Sequence, residues 1–331
     1  MYFIFSLVAL LCWSGSDLFS KKGTDEKDKN SHWKVVFAVG LIMGIHFILT
    51  LIGGAIIDNA GGPDAVPKFV ASLLYTDFKV LDFVMYLPVA GLYILAMVLG
   101  YIGLRYIELS ISSPICNCSG SLALLICFLL FPLIGAEPIE FDVFIIIGVI
   151  LITIGIIAIG VVDSKENQEL KELRRQESNR KYTKSILALL LPIAYLIIDA
   201  LGTVGDEVFF HYVDISDYSA NSSFELTFFL LAIFAFIWIK FVKKDTIFVR
   251  KNNSLFIGGF CETLGQIFYM AVMFSPYEEF IPIISAYCVV SVLWSRIFLK
   301  EKLSWKHYIV IAITIVGILL LGVSEYIGAL Q

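Results

Sequence analysis

Long apolar runs alternate with short polar stretches along the whole chain. An apolar run of about 18 or more residues is long enough to cross a bilayer core as a helix. Ten spans are predicted on this basis. The first five are Tyr2 to Ser20, Val35 to Ile57, Asp82 to Leu104, Ser110 to Ile134 and Val143 to Val162. The second five are Ser185 to about Phe210, Phe224 to Phe241, Ser254 to Phe274, Phe280 to Leu299 and Tyr308 to Val323. The connection Asp58 to Leu81 holds Gly61, Gly62, Pro63 and Pro67, and its VASLLY stretch is too short to cross and reads as an interfacial turn of helix.

One stretch interrupts this pattern. Residues 163–184, DSKENQELKELRRQESNRKYTK, are polar throughout and carry seven Lys or Arg. Acids and bases alternate there at helical spacings, which predicts a partly helical cytoplasmic linker. It divides the chain into a first five-helix unit (1–162), the connector (163–184) and a second five-helix unit (185–331). Five is odd, so two such units in tandem enter the membrane from opposite sides. That is the inverted-repeat arrangement of many secondary transporters, with the substrate site near the midplane between halves. Matching residues point the same way. Trp13, Asp17 and Gly23 of span 1 and Tyr195, Asp199 and Gly205 of span 6 share one sequence offset.

Composition agrees with the spans: 59% of residues are hydrophobic and only 16% charged, against about 25% charged in soluble domains. A β-barrel would need short alternating segments instead. The fold class expected is therefore all-α integral membrane, with ten transmembrane helices. The six Cys (12, 116, 118, 127, 261 and 288) lie in apolar runs without a C-x-x-C pair, and read as reduced packing residues. The start lacks a basic region and a clean cleavage site, so it reads as a retained first span. All but Lys68 and Lys79 of the 24 Lys and Arg fall on one set of alternate loops. The positive-inside rule then places both termini outside and the connector in the cytoplasm of a plasma or inner membrane. The outer loops hold Asp206, Glu207, Asp214, Asp217, Glu278 and Glu279, either as ordinary charge bias or as a negative funnel for cations.

Three segments carry a family resemblance: WSGSDLFSKKG in span 1, LRYIELSISSP at the turn into span 4, and FLKEKLSWKHYIVIAITIVGILLLG near the end. Together with the order of elements they resemble the drug/metabolite transporter superfamily, EamA-type. Glu301, Lys302, Leu303 and Ser304, with Gly317 and Gly322 following, fit the motif that ends each half in that family. The first half matches more loosely, through Gly135, Glu137 and Glu140. The charged connector and the loop between spans 2 and 3 are longer than the family pattern. The resemblance implies ten helices and alternating access through a central cavity. Spans 1, 3, 4, 6, 8 and 9 would line that cavity, and spans 5 and 10 would be peripheral. Its members move amino acids, sugars, nucleotide sugars, phosphorylated sugars, quaternary amines and drugs.

The candidate site residues are the polar groups inside spans. Glu262 falls near the centre of span 8, where a charge costs at least about 2.5–3.5 kcal/mol on insertion scales and normally has a function or a partner. Gln266 and Tyr269 continue its face. Asp17 and Asp199 are gates or ion sites by this reading. For Asp17 the competing reading is a helix ion pair with Lys21 at i+4. Ser113, Asn117 and Ser121 form a stripe in span 4 that either meets substrate or joins packed helices, and Ser285 lies on a comparable face of span 9. Pro114 and Pro282 sit early in those two spans and predict bends. Trp13, Tyr93, Tyr101, Tyr195, Tyr269 and Tyr287 would hold an organic cation by cation–π contact, or simply pack.

No phosphate-binding loop, metal cluster or hydrolase arrangement is visible in the sequence. No cofactor and no nucleic-acid partner is expected. The reading is a secondary transporter of a small polar or amphiphilic metabolite, an amine or other cation being favoured. The alternatives are a neutral solute such as an amino acid or sugar, or, from other classes, a sensor or scaffold and an intramembrane enzyme. Expected partners are the substrate, the lipid bilayer and a coupling proton or ion, with a homodimer as an open possibility.

Overall fold

A computed structural model describes residues 2–25, 28–135, 143–165, 186–248, 252–273, 284 and 286–328. The chain is helical, and no strand occurs among the described residues. The helices of the first half are α1 (Tyr2–Gly23), α2 (Ser31–Asn59), the short α3 (Lys68–Leu74), α4 (Val80–Gly103), α5 (Leu109–Cys116), α6 (Ser119–Ile134) and α7 (Val143–Lys165). The second half has α8 (Leu190–Tyr212), α9 (Asp217–Ile237), α10 (Asn253–Met273), α11 (Tyr287–Phe298) and α12 (Trp305–Gly328). The interfacial turn expected in VASLLY is α3. The connector 163–184 falls, from residue 166 on, outside the described residues, as do Glu278, Glu279, Pro282 and Ser285.

Among the described residues six stretches are long and apolar enough to cross a membrane: Phe3–Gly23, Ser31–Asn59, Val80–Gly103, Leu109–Ile134, Asp217–Val242 and Asn253–Met273. Shorter apolar helices accompany them. α8 stands apart from this set because it carries Asp199, Asp206 and Glu207. Ile48, Ile52 and Ile56 of α2 and Leu129 and Leu133 of α6 are exposed. Such apolar outward faces suit lipid and would be a liability in water. All six cysteines are free thiols.

Two elements depart from the sequence expectation. Span 4 is two helices, interrupted at Asn117–Cys118. Pro114 lies inside α5 and has no N–H to give to the preceding turn. Four residues on, the Cys118 N–H bonds the Ile115 carbonyl instead of the Pro114 carbonyl. The Cys118 thiol takes the Pro114 carbonyl in its place, at 3.0 Å. Span 7 begins seven residues earlier than expected, because the polar stretch 217–223 is helical. Ser216 caps it by accepting from the Ser219 N–H at 3.0 Å. The hydroxyls of this turn face other parts of the chain: Ser219 donates to Asp82 of α4 at 2.8 Å and Ser222 to Thr76, between α3 and α4, at 2.7 Å. Polar residues are helix-compatible here because each finds a partner inside the protein.

The halves pack on each other helix by helix. α1 lies on α10, α4 on α8, α2 on α9, α5 on α11 and α7 on α12. The largest core cluster joins α2, α4, α9 and α10 around Met43, Phe228 and Leu255.

Candidate functional site

A cavity of about 580 Å³ runs between the halves. Its lining comes from α1, α4, the α5–α6 interruption, α8, α10 and the first residue of α11, with the early turns of α9 added. No lining residue belongs to α7 or α12. At one end Glu207 and Asp217 are exposed, whereas the other end terminates on buried Ser20, Leu104 and Leu109.

Among the sequence candidates, Trp13, Asp17, Tyr101, Ser113, Asn117, Tyr195, Asp199, Glu262, Gln266 and Tyr269 all line this cavity. Ser121 does not: it is buried in α6, and the break after Asn117 takes it off the face it would share with Ser113 on a continuous helix. Ser285 lies outside the described residues.

Asp17, Asp199 and Asp206 are each held by a hydroxyl from another helix. Asp17 accepts from Ser113 of α5 at 2.7 Å and from Ser291 of α11 at 2.8 Å. Asp199 accepts from Ser119, the first residue of α6, at 2.6 Å. The N-terminal end of α6, opened by the break in span 4, therefore faces a carboxylate, the sign its dipole favours. Ser16 of α1 neighbours Glu262 across the cavity wall. Asp206 accepts from Tyr86 at 2.9 Å. Lys21 is fully buried and donates to the carbonyls of Leu104 and Ile107, so it closes the chain turn beyond α4 at the buried end of the cavity.

The aromatic residues gather around the acids. Trp13 meets Tyr269 and Tyr287 with centroids 5.4 and 5.8 Å apart. Trp13 Nε1, Tyr101 Oη and Ser20 Oγ line the cavity as buried polar atoms without a hydrogen-bond partner among the described residues.

Several cavity-lining residues escaped the sequence reading. Asp206, Glu207 and Asp217 were assigned to an outer loop, yet they line the cavity mouth. The signal was available for two of them: Asp199, Thr203, Asp206 and Glu207 fall at i, i+4, i+7 and i+8, a helical face. Tyr86, Thr203 and Asn221 also line the cavity and had no signal beyond polarity.

Groups of three or more His, Cys, Asp or Glu able to hold a metal do not occur among the described residues. Residues 186–323 match the EamA-like transporter family. The match lies in the second half and is consistent with the drug/metabolite transporter superfamily; the matched family is one of transporters and not of enzymes. With the apolar helices, this makes the chain a multi-pass membrane protein. None of the curated proteins matches it.

Proposed function

We propose that this EamA-like protein carries a small organic cation, an amine or quaternary amine, across the plasma or inner membrane by alternating access. The observation that carries this reading is the charge of the cavity. Asp17, Asp199, Asp206, Glu207, Asp217 and Glu262 line it, and among the described residues no Lys, Arg or His does. Six carboxylates around one space attract a cation and repel phosphorylated or carboxylated solutes. Trp13 and the tyrosines supply ring faces suited to an ammonium group. The unpaired Tyr101 hydroxyl and Trp13 N–H give such a solute polar contacts at the closed end.

The two halves, 1–162 and 185–331, act as inverted five-helix repeats that rock about the cavity. The packing supports this. Exchanging span 1 for 6 and span 3 for 8 turns the α1–α10 pair into the α8–α4 pair, and the other three pairs named above map onto themselves. Trp13 against Gly265 and Tyr195 against Gly100 obey the same exchange. With the termini outside, the acid mouth at Glu207 and Asp217 faces outward, and the Leu104–Leu109 end is the closed cytoplasmic gate.

Purified protein in proteoliposomes tests this with labelled choline, an uncharged sugar and a neutral amino acid. Choline uptake lost in Glu262→Gln supports the cation reading. A sugar or amino acid moving equally well in both proteins would overturn it.

A further inference from the structure

Outside the cavity, one buried ionisable pair has no part in the reading above. His46 of α2 and Glu225 of α9 meet in the middle of their helices, Nδ1 lying 2.8 Å from Oε1 and 3.0 Å from Oε2. Glu225 is 0% exposed and His46 6%. The other ring nitrogen, Nε2, lies 3.0 Å from the carbonyl of Leu73 in α3. Neither residue lines the cavity, but a polar chain leads there. Asn221 Nδ2 approaches Glu225 Oε1 at 3.5 Å, and Gln266 Nε2 donates to Asn221 Oδ1 at 3.1 Å. Asn221 and Gln266 both line the cavity.

The geometry fixes the number of protons. A carbonyl only accepts, so Nε2 carries a hydrogen. Nδ1 then faces a carboxyl group at hydrogen-bond distance, and a contact that short requires a proton between them. Whether that proton sits on the ring or on the carboxyl, the pair holds one dissociable proton and is neutral overall. Its loss leaves the ring one hydrogen, which the buried carboxylate draws to Nδ1, so that Nε2 turns a lone pair toward the Leu73 carbonyl and the tie to α3 is lost.

We propose that His46 and Glu225 form a proton-binding site, distinct from the cavity acids, whose loading holds α2, α3 and α9 together and whose unloading releases α3. The proton adds to or leaves the His46–Glu225 pair, and no other bond changes. Among the described residues Glu225 is the charged group acting on His46. α3 contributes the Leu73 carbonyl, and α10 turns Gln266 toward Asn221 and Glu262 toward Ser16 of α1. α1 and α4 bring no charged group to the ring. Through Asn221, the charge on Glu225 reaches the cavity wall. The coupling role rests on the transport reading; the proton site itself does not.

Two measurements on the full-length protein separate these. The first is hydrogen–deuterium exchange of α3 from pH 5 to 9, corrected for intrinsic rates. Wild type should show protection of Lys68–Leu74 falling at least five-fold as pH rises. Glu225→Gln, and the His46→Gln/Glu225→Gln double variant as a neutral amide pair, should lose that dependence. Protection independent of pH in wild type, or the same dependence in all three, overturns the proton site. The second uses labelled choline in proteoliposomes. A pH gradient should drive accumulation in wild type, falling at least five-fold in both variants, while counterflow at equal pH stays within two-fold. Undiminished gradient-driven accumulation in the variants overturns the coupling. Absence of choline movement in wild type would sink the cation reading and leave the exchange result to decide the proton site.

Discussion

The indole of Trp13 occupies the space that a side chain at Gly265 would need. A Cβ at Gly265 would stand 2.5 Å from Cδ1 and 2.7 Å from Nε1 of that ring. Gly265→Ala therefore has to displace Trp13 from the cavity wall. Overpacking of this kind costs about 1–3 kcal/mol, offset by up to ~1 kcal/mol from better helix propensity. Thermal unfolding should show a net loss of about 1–2 kcal/mol, and the emission spectrum of Trp13 should shift. Gly91, in the interior of α4, meets no atom within 4 Å. Gly91→Ala should be neutral or stabilising by up to ~1 kcal/mol. Equal destabilisation by both would mean that any side chain in these helices is harmful, and that the Trp13 contact is not special.

Tyr101 separates ligand contact from folding. Its ring is buried, and its hydroxyl has no hydrogen-bond partner among the described residues. Removing an unpaired hydroxyl leaves nothing unsatisfied behind. Tyr101→Phe should keep the melting temperature of wild type and weaken choline binding about five- to ten-fold, in line with one neutral hydrogen bond of about 1 kcal/mol. Isothermal titration on the purified protein checks this. A fall in melting temperature with unchanged affinity would assign the hydroxyl to the fold.

The all-helical class and the six long apolar stretches were legible in the sequence because hydropathy alone decides them. Asp17, Asp199 and Glu262 were legible for the converse reason: an acid inside an apolar helix is expensive enough to need an explanation. What could not be read was direction around each helix and continuity along it. Ser121 was assigned to the face of Ser113 on the assumption of one unbroken helix, and the Cys118 thiol taking the Pro114 carbonyl leaves no trace in hydropathy. The stretch 217–223 looked like a loop because its Ser and Asn residues are polar, whereas their partners, Asp82 and Thr76 among them, come from distant parts of the chain. His46 falls inside the predicted span Val35 to Ile57. Its partner Glu225 is 179 residues away, beyond the reach of any local pattern.

Glu301 caps a helix belonging to the other half of the chain. Its carboxylate accepts from the N–H groups of Leu109 and Ser110 at 2.9 and 3.0 Å and from the Ser110 hydroxyl. These are the first turn of α5, where backbone donors have no partner within the helix. Glu301 is 1% exposed, so water does not readily replace it. Unpaired buried donors cost about 1–3 kcal/mol each, and Glu301→Ala should destabilise by about 2–4 kcal/mol. Glu301→Gln keeps one acceptor oxygen and should lose roughly half as much. Thermal melts of the three proteins measure both. Equal losses in Gln and Ala would show that the charge of Glu301, not its two acceptors, holds α5.

Acid should loosen the α1–α2 loop through Asp245. The Lys34 ammonium, 2.8 Å from Oδ2, holds this carboxyl below its ordinary range, helped by the Thr246 N–H at 2.7 Å and by Asn30. Lys34 also bonds Asp28 at 2.7 Å, so it ties the chain after π-turn Trp238–Val242 to the start of α2. A depressed folded-state value means that the unfolded chain binds the proton more readily. The contribution is then complete above the unfolded carboxylate value of about 3.9. It is lost as pH falls through the lower folded value. Asp245→Asn cannot titrate, so it should be less stable than wild type at pH 7 and show a flatter decline between pH 5 and 3. The gap between the two melting curves should therefore close on the acid side. A gap that stays constant with pH would mean that the carboxylate charge of Asp245 does not contribute, and that Lys34 is held by Asp28 alone.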